Sequence, residues 1–106
     1  MNGKKGAVMP DYLMLMHNDP VRSSRESDWE AYIQTLVKSG TYRGMGAIGS
    51  GVCRRKSGTA PPITARIGSY IRLKVESLAE VEALLAGNPV FENGGTVELR
   101  ELSVGT

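Results

Sequence analysis

Apolar and polar positions follow one another in six blocks along the chain. Tyr12-Leu13-Met14-Leu15-Met16 is an unbroken apolar run closed by the turn residues Asn18-Asp19-Pro20. It is too short for a helix, and an uninterrupted run of this kind predicts a strand covered on both faces. Trp29, Tyr32, Ile33 and Leu36 recur at helical spacing and form one apolar stripe. Ser23 with Glu26 and Ser27 with Glu30 each have capping-box spacing, so the helix start is marked twice; Gly40 marks its end. Residues 42–52 alternate glycine with apolar residues, which predicts a weakened strand, bulged or near a sheet edge. A basic and polar connection runs from Cys53 to Pro62. A strand then spans 68–76, where Ile71, Leu73 and Val75 alternate with Arg72, Lys74 and Glu76. Ser77 and Glu80 open a short second helix bearing Leu78, Val81, Leu84 and Leu85, stopped by Gly87 with Pro89 beyond. After the turn Asn93-Gly94-Gly95, residues 96–102 form the last strand, with Val97 and Leu99 on one face and Glu98 and Arg100 on the other.

Strand, helix, strand, strand, helix, strand is the order of a ferredoxin-like α+β domain. Its sheet is four-stranded and antiparallel, with the first and third strands central and both helices on one face. The other face receives either Leu13 and Leu15 or Met14 and Met16, together with a polar set from the third strand. An apolar face of that kind is best covered by a second copy packed sheet against sheet, so a homodimer is expected.

The length of 106 residues allows one domain, placed at 10–106, with residues 1–9 as a flexible tail or an alternative start. A 41% hydrophobic, 23% charged composition excludes general disorder, and a core of this size is small enough to gain from a partner subunit. The net charge of +2 comes from near-balanced signs and gives no reason to expect nucleic acid or membrane as a partner. Arg54-Arg55-Lys56 reads as a solvated loop. With one cysteine, Cys53, an internal disulfide is excluded and a reducing, cytoplasmic setting fits. Cys53 is expected as a small, partly buried filler at a strand end. One His and one Cys are too few soft ligands for a metal centre, and the glycines of 44–51 lack the lysine and helix of a phosphate-binding loop, so no cofactor is expected.

Three stretches carry a family resemblance. Tyr12 to Asp19 is similar to the opening strand and turn of the YCII-related (DGPF-domain) family, within the dimeric α+β barrel superfamily. Ile67-Gly68-Ser69-Tyr70 through Ser77-Leu78-Ala79-Glu80 resembles that family's strand and following helix start. Asn88-Pro89 and Gly94-Gly95-Thr96-Val97-Glu98-Leu99-Arg100 resemble its final turn and strand. The resemblance implies a dimeric α+β barrel and a histidine–aspartate acid/base pair acting on a small molecule. The family's Asp-Gly-Pro-Phe stretch is missing; Pro61-Pro62-Ile63-Thr64-Ala65-Arg66 stands in its place. A member without it has grounds to be a non-catalytic ligand-binding or accessory dimer.

His17, the only histidine, sits where the first strand ends. Imidazole changes charge near neutral pH and a carboxylate fixes its tautomer, so His17 with Asp19, or alternatively Asp28, forms the candidate catalytic group. The plainer alternative is a polar turn in which Asp19 organises backbone N–H groups. Tyr70, Arg72, Glu98 and Arg100, with Arg66 at the mouth, are the candidate ligand-binding set for a small organic or anionic molecule. Cross-strand pairing of Arg72 with Glu98 is the structural alternative.

Overall fold

Each strand places alternate residues on opposite faces, and the computed structural model, which describes residues 10–102, sorts them into two layers. The elements run β1 (Asp11–His17), α1 (Glu26–Lys38), β2 (Tyr42–Ala47), β3 (Ile67–Lys74), α2 (Leu78–Ala83), α3 (Pro89–Glu92) and β4 (Val97–Leu102). The sheet is antiparallel with order β2-β3-β1-β4, so the first and third strands are central, as the pattern predicted. The expectation of a flexible tail over residues 1–9 lies outside the described residues.

The even-numbered residues of β1 face the helices. Tyr12, Met14 and Met16 join Ile71 and Leu73 of β3, Tyr32 and Leu36 of α1 and Val81 of α2 in one buried cluster. Leu13 and Leu15 point the other way and are half-buried, opposite Arg72 and Tyr70 of β3 and Arg100 and Glu98 of β4. Within one chain, then, β1 is fully covered on its even side only.

Three readings are corrected. α1 starts at neither serine box: its N-cap is Arg25, whose backbone N–H donates to Asp28 Oδ2 at 2.9 Å. A carboxylate at the third helical position satisfies that donor as well as a glutamate would. β2 stops at Ala47, five residues short of Val52, because from Ile48 onward the chain leaves β3; only the Ile48 N–H still bonds back, to Gly68 O at 2.8 Å. Cys53 therefore lies on an exposed arm instead of a strand end, its Sγ 3.5 Å from the Pro61 carbonyl. On α2, Val81 is buried while Leu78 is exposed.

The second helical region holds more than the pattern showed. Ser77 caps α2 through Glu80 N–H, and Glu80 Oε1 reaches back to Glu76 N–H at 2.9 Å. Past Gly87 the chain makes a further helix, α3, with Pro89 in its first turn. Its cap is Asn88, fully buried, whose Oδ1 accepts from Val90 N–H at 3.0 Å and Phe91 N–H at 3.1 Å. No helix among the described residues is long and apolar enough to cross a membrane.

Candidate functional site

The helix-free face of the sheet has an apolar middle and two ionic clusters. Leu13, Leu15 and Tyr70 occupy the middle. Tyr70 lies over Gly46 of β2, where an added Cβ would stand 2.8 Å from Tyr70 Cε1, so only glycine admits the ring there. At one end Asp11 receives Arg72 Nε at 2.8 Å, Arg72 Nη2 at 2.8 Å and Lys74 Nζ at 2.9 Å. These cations hold the Asp11 carboxyl below its ordinary value, Lys74 contributing most.

The second cluster contains the histidine. The pairing register slips between Met16 and His17, an irregularity of the kind that re-aims a side chain at a sheet rim. His17 keeps the odd-residue face, and its Nε2 lies 3.0 Å from Glu98 Oε1, on the neighbouring strand β4. The other carboxylate oxygen, Oε2, accepts from Arg100 Nε at 2.8 Å and lies 2.6 Å from Arg100 Nη2. The His17 contact, chiefly, and then Arg100 lower the Glu98 pKa. An ionised Glu98 can only accept, so Nε2 carries the proton and a neutral ring presents the Nδ1 lone pair. Nδ1 has no hydrogen-bond partner among the described residues. The imidazole is about one-fifth exposed, neither sealed in the core nor loose in solvent.

Beside this pair is an open cavity of about 530 Å³ lined by His17, Asn18, Asp19, Ala65, Arg66 and Thr96. Two parts of the chain far apart in sequence build it: the end of β1 and the approach to β3, stitched by Asn18 N–H to Arg66 O at 2.7 Å. Gly68 lets the Asn18 side chain in, since a Cβ there would collide with its Oδ1. The Arg66 guanidinium is exposed at this cavity and makes no ion pair among the described residues.

The carboxylates expected to orient His17 have other employment. Asp19 accepts from Thr96 N–H at 2.8 Å and Thr96 Oγ1 at 2.6 Å, tethering the turn after β1 to the start of β4. Those bonds, the hydroxyl's first, lower its pKa. Asp19 is thus a cavity wall with both oxygens committed, and the turn-organising reading of it describes its contacts. Asp28 caps α1 on the helical side of the molecule and lines a different groove with Tyr32 and Glu92. Glu98, expected as a ligand contact, takes the orienting position. Arg72 and Glu98 do not pair, because β1 lies between their strands and Asp11 claims Arg72. Among the described residues no group of three or more His, Cys, Asp or Glu is placed to hold a metal ion. The chain matches no family model, and no curated protein matches it.

Proposed function

We propose that this chain is a YCII-related domain whose two copies pack open sheet face against open sheet face, and that the pocket so formed carries acid/base chemistry on a small organic anion. One observation carries the reading: a carboxylate bound to Arg100 through one oxygen fixes the tautomer of His17 through the other, leaving Nδ1 as the free base. In this scheme His17 Nδ1 takes a proton from a carbon or oxygen acid, and Glu98 stabilises the imidazolium that results. Arg66, unpaired at the same cavity, binds the substrate's anionic group and lowers the energy of the charge that develops. Leu13, Leu15 and Tyr70 of both copies exclude water. Acid/base help of this type contributes roughly 10²–10⁴-fold to a rate.

The test is deuterium uptake by NMR in D₂O, with a panel of small keto and enol carboxylates as probes. The wild-type protein exchanges a C–H proton of at least one probe, His17→Ala abolishes exchange, and Arg66→Ala retains it with a raised KM. Probe binding by the wild type without exchange would favour the non-catalytic dimer module. Exchange that survives His17→Ala would remove the histidine from the chemistry.

A further inference from the structure

The connection between β2 and β3, residues 48–66, is long for a hairpin link in so small a domain and contains no helix or strand. Loops of this length without structure of their own are uncommon in compact domains and are usually either functional or linkers. Three large apolar side chains on it face solvent: Ile48, Val52 and Ile63, the last two 76% and 88% exposed. Its two halves, with Asn18, border a cavity of about 610 Å³ instead of closing on a core. Its charge is of one sign: Arg54, Arg55, Lys56 and Arg66, with no acidic residue between 48 and 66. Arg54 and Arg55 donate to the backbone carbonyls of Cys53 and Thr59 and make no ion pair among the described residues.

The opposite composition occurs on the α2–α3 segment. Between residues 76 and 95 stand Glu76, Glu80, Glu82 and Glu92 and no lysine or arginine. None of the four makes an ion pair among the described residues. Here too large apolar side chains are exposed, Leu78 at 48% and Phe91 at 46%. One surface is basic with apolar studs, the other acidic with apolar studs, and among the described residues no ion pair joins them.

We propose that the 48–66 arm of one copy docks on the α2–α3 surface of a second copy. Arg54, Arg55 and Lys56 meet Glu76, Glu80 and Glu82, while Val52 and Ile63 bury against Leu78 and Phe91. The charges steer and orient the contact, and the apolar pairs supply its free energy. This contact uses neither the sheet face nor His17, so it stands or falls separately from the catalytic reading.

Cys53 makes the test direct, because it is the only cysteine of the chain and lies exposed on the arm. The wild-type protein is prepared with and without ¹⁵N, mixed, labelled at Cys53 with a maleimide photo-crosslinker and irradiated. Mass spectrometry is expected to find cross-links between light and heavy chains that end within residues 76–93. Their yield falls as salt is raised, as exposed charge pairs require. Reversing the arm (Arg54→Glu, Arg55→Glu, Lys56→Glu) lowers the yield about tenfold or more, as does Glu76→Lys with Glu82→Lys; mixing the two variants restores it. Cross-links confined to one chain, or ending on the sheet face, overturn the proposal. So does failure of the mixed variants to recover, or capture of a labelled oligonucleotide by the arm with no link between chains.

Discussion

Asn88 is the one fully buried polar side chain among the described residues, and its surroundings explain why it is tolerated. Its carbonyl oxygen is consumed by two backbone N–H groups of α3. Its amide nitrogen lies 3.9 and 3.8 Å from the sulfurs of Met14 and Met16, soft acceptors on the central strand. Close by, Tyr32 donates to Leu84 O at 2.6 Å, and burial pushes its hydroxyl up to about 12. A polar node at this depth ties α1, α3 and β1 together. Asn88→Ala removes both hydrogen bonds of the α3 cap and leaves a void against Met14 and Met16, so a loss of about 2–3 kcal/mol is expected in urea unfolding. Asn88→Ser, which keeps an acceptor, should recover part of it. An alanine variant as stable as the wild type would show that the node contributes nothing.

Besides backbone hydrogen bonds, the turn after β1 is tied to the start of β4 by one carboxylate, and that tether is sensitive to acid. Asp19 grips Thr96, and its pKa lies below the ordinary 3.8 because the folded chain donates to its ionised form. Asp11 and Glu98 are lowered as well, by Lys74 and Arg72 and by His17 and Arg100. A depressed carboxylate contributes stability that is whole above its unfolded value and disappears as pH falls through its folded value. Stability is therefore flat on this account down to about pH 5 and declines below pH 4. Asp19→Asn should be less stable at neutral pH, with a shallower acid decline; circular dichroism melts at a series of pH values measure both slopes. Equal slopes would separate the Thr96 tether from acid unfolding.

Those same joints show what the amino-acid pattern carries and what it leaves out. Alternation in 71–75 and 97–100 placed the correct residues on each sheet face, since period two is a property of one strand. The His17–Glu98 pair needed the register between strands, Leu15 opposite Glu98, which no single strand encodes. Asp19 and Asp28 are nearer to His17 in sequence, yet each has backbone or hydroxyl donors closer at hand, and local satisfaction removed both as its partner. α3 shows no period because a four-residue helix has too few positions, although Asn88-Pro89 is a cap followed by a first-turn proline.

The two layers leave one side of the sheet without a cover, and the identity of its exposed residues allows a decisive substitution. Leu13 is flanked by Arg72 on β3 and Arg100 on β4, while Asp11 and Glu98 already partner those arginines. A glutamate at 13 gains cationic neighbours in the single chain, so Leu13→Glu is expected to fold with little change in thermal stability. Between two copies the same side chain would stand in an apolar contact, twice over by symmetry. Losing two buried leucines costs the dimer about 3 kcal/mol or more, roughly a hundredfold in its dissociation constant. Sedimentation equilibrium should find the wild type dimeric at micromolar concentration and Leu13→Glu shifted to single chains, with both unfolding cooperatively. Cross-links from the Cys53 arm to a second copy should persist in that variant, because the surfaces they join lie elsewhere. A wild-type protein that stays single at high concentration would leave Leu13, Leu15 and Tyr70 open to water, and with them the pocket in which His17 is to act.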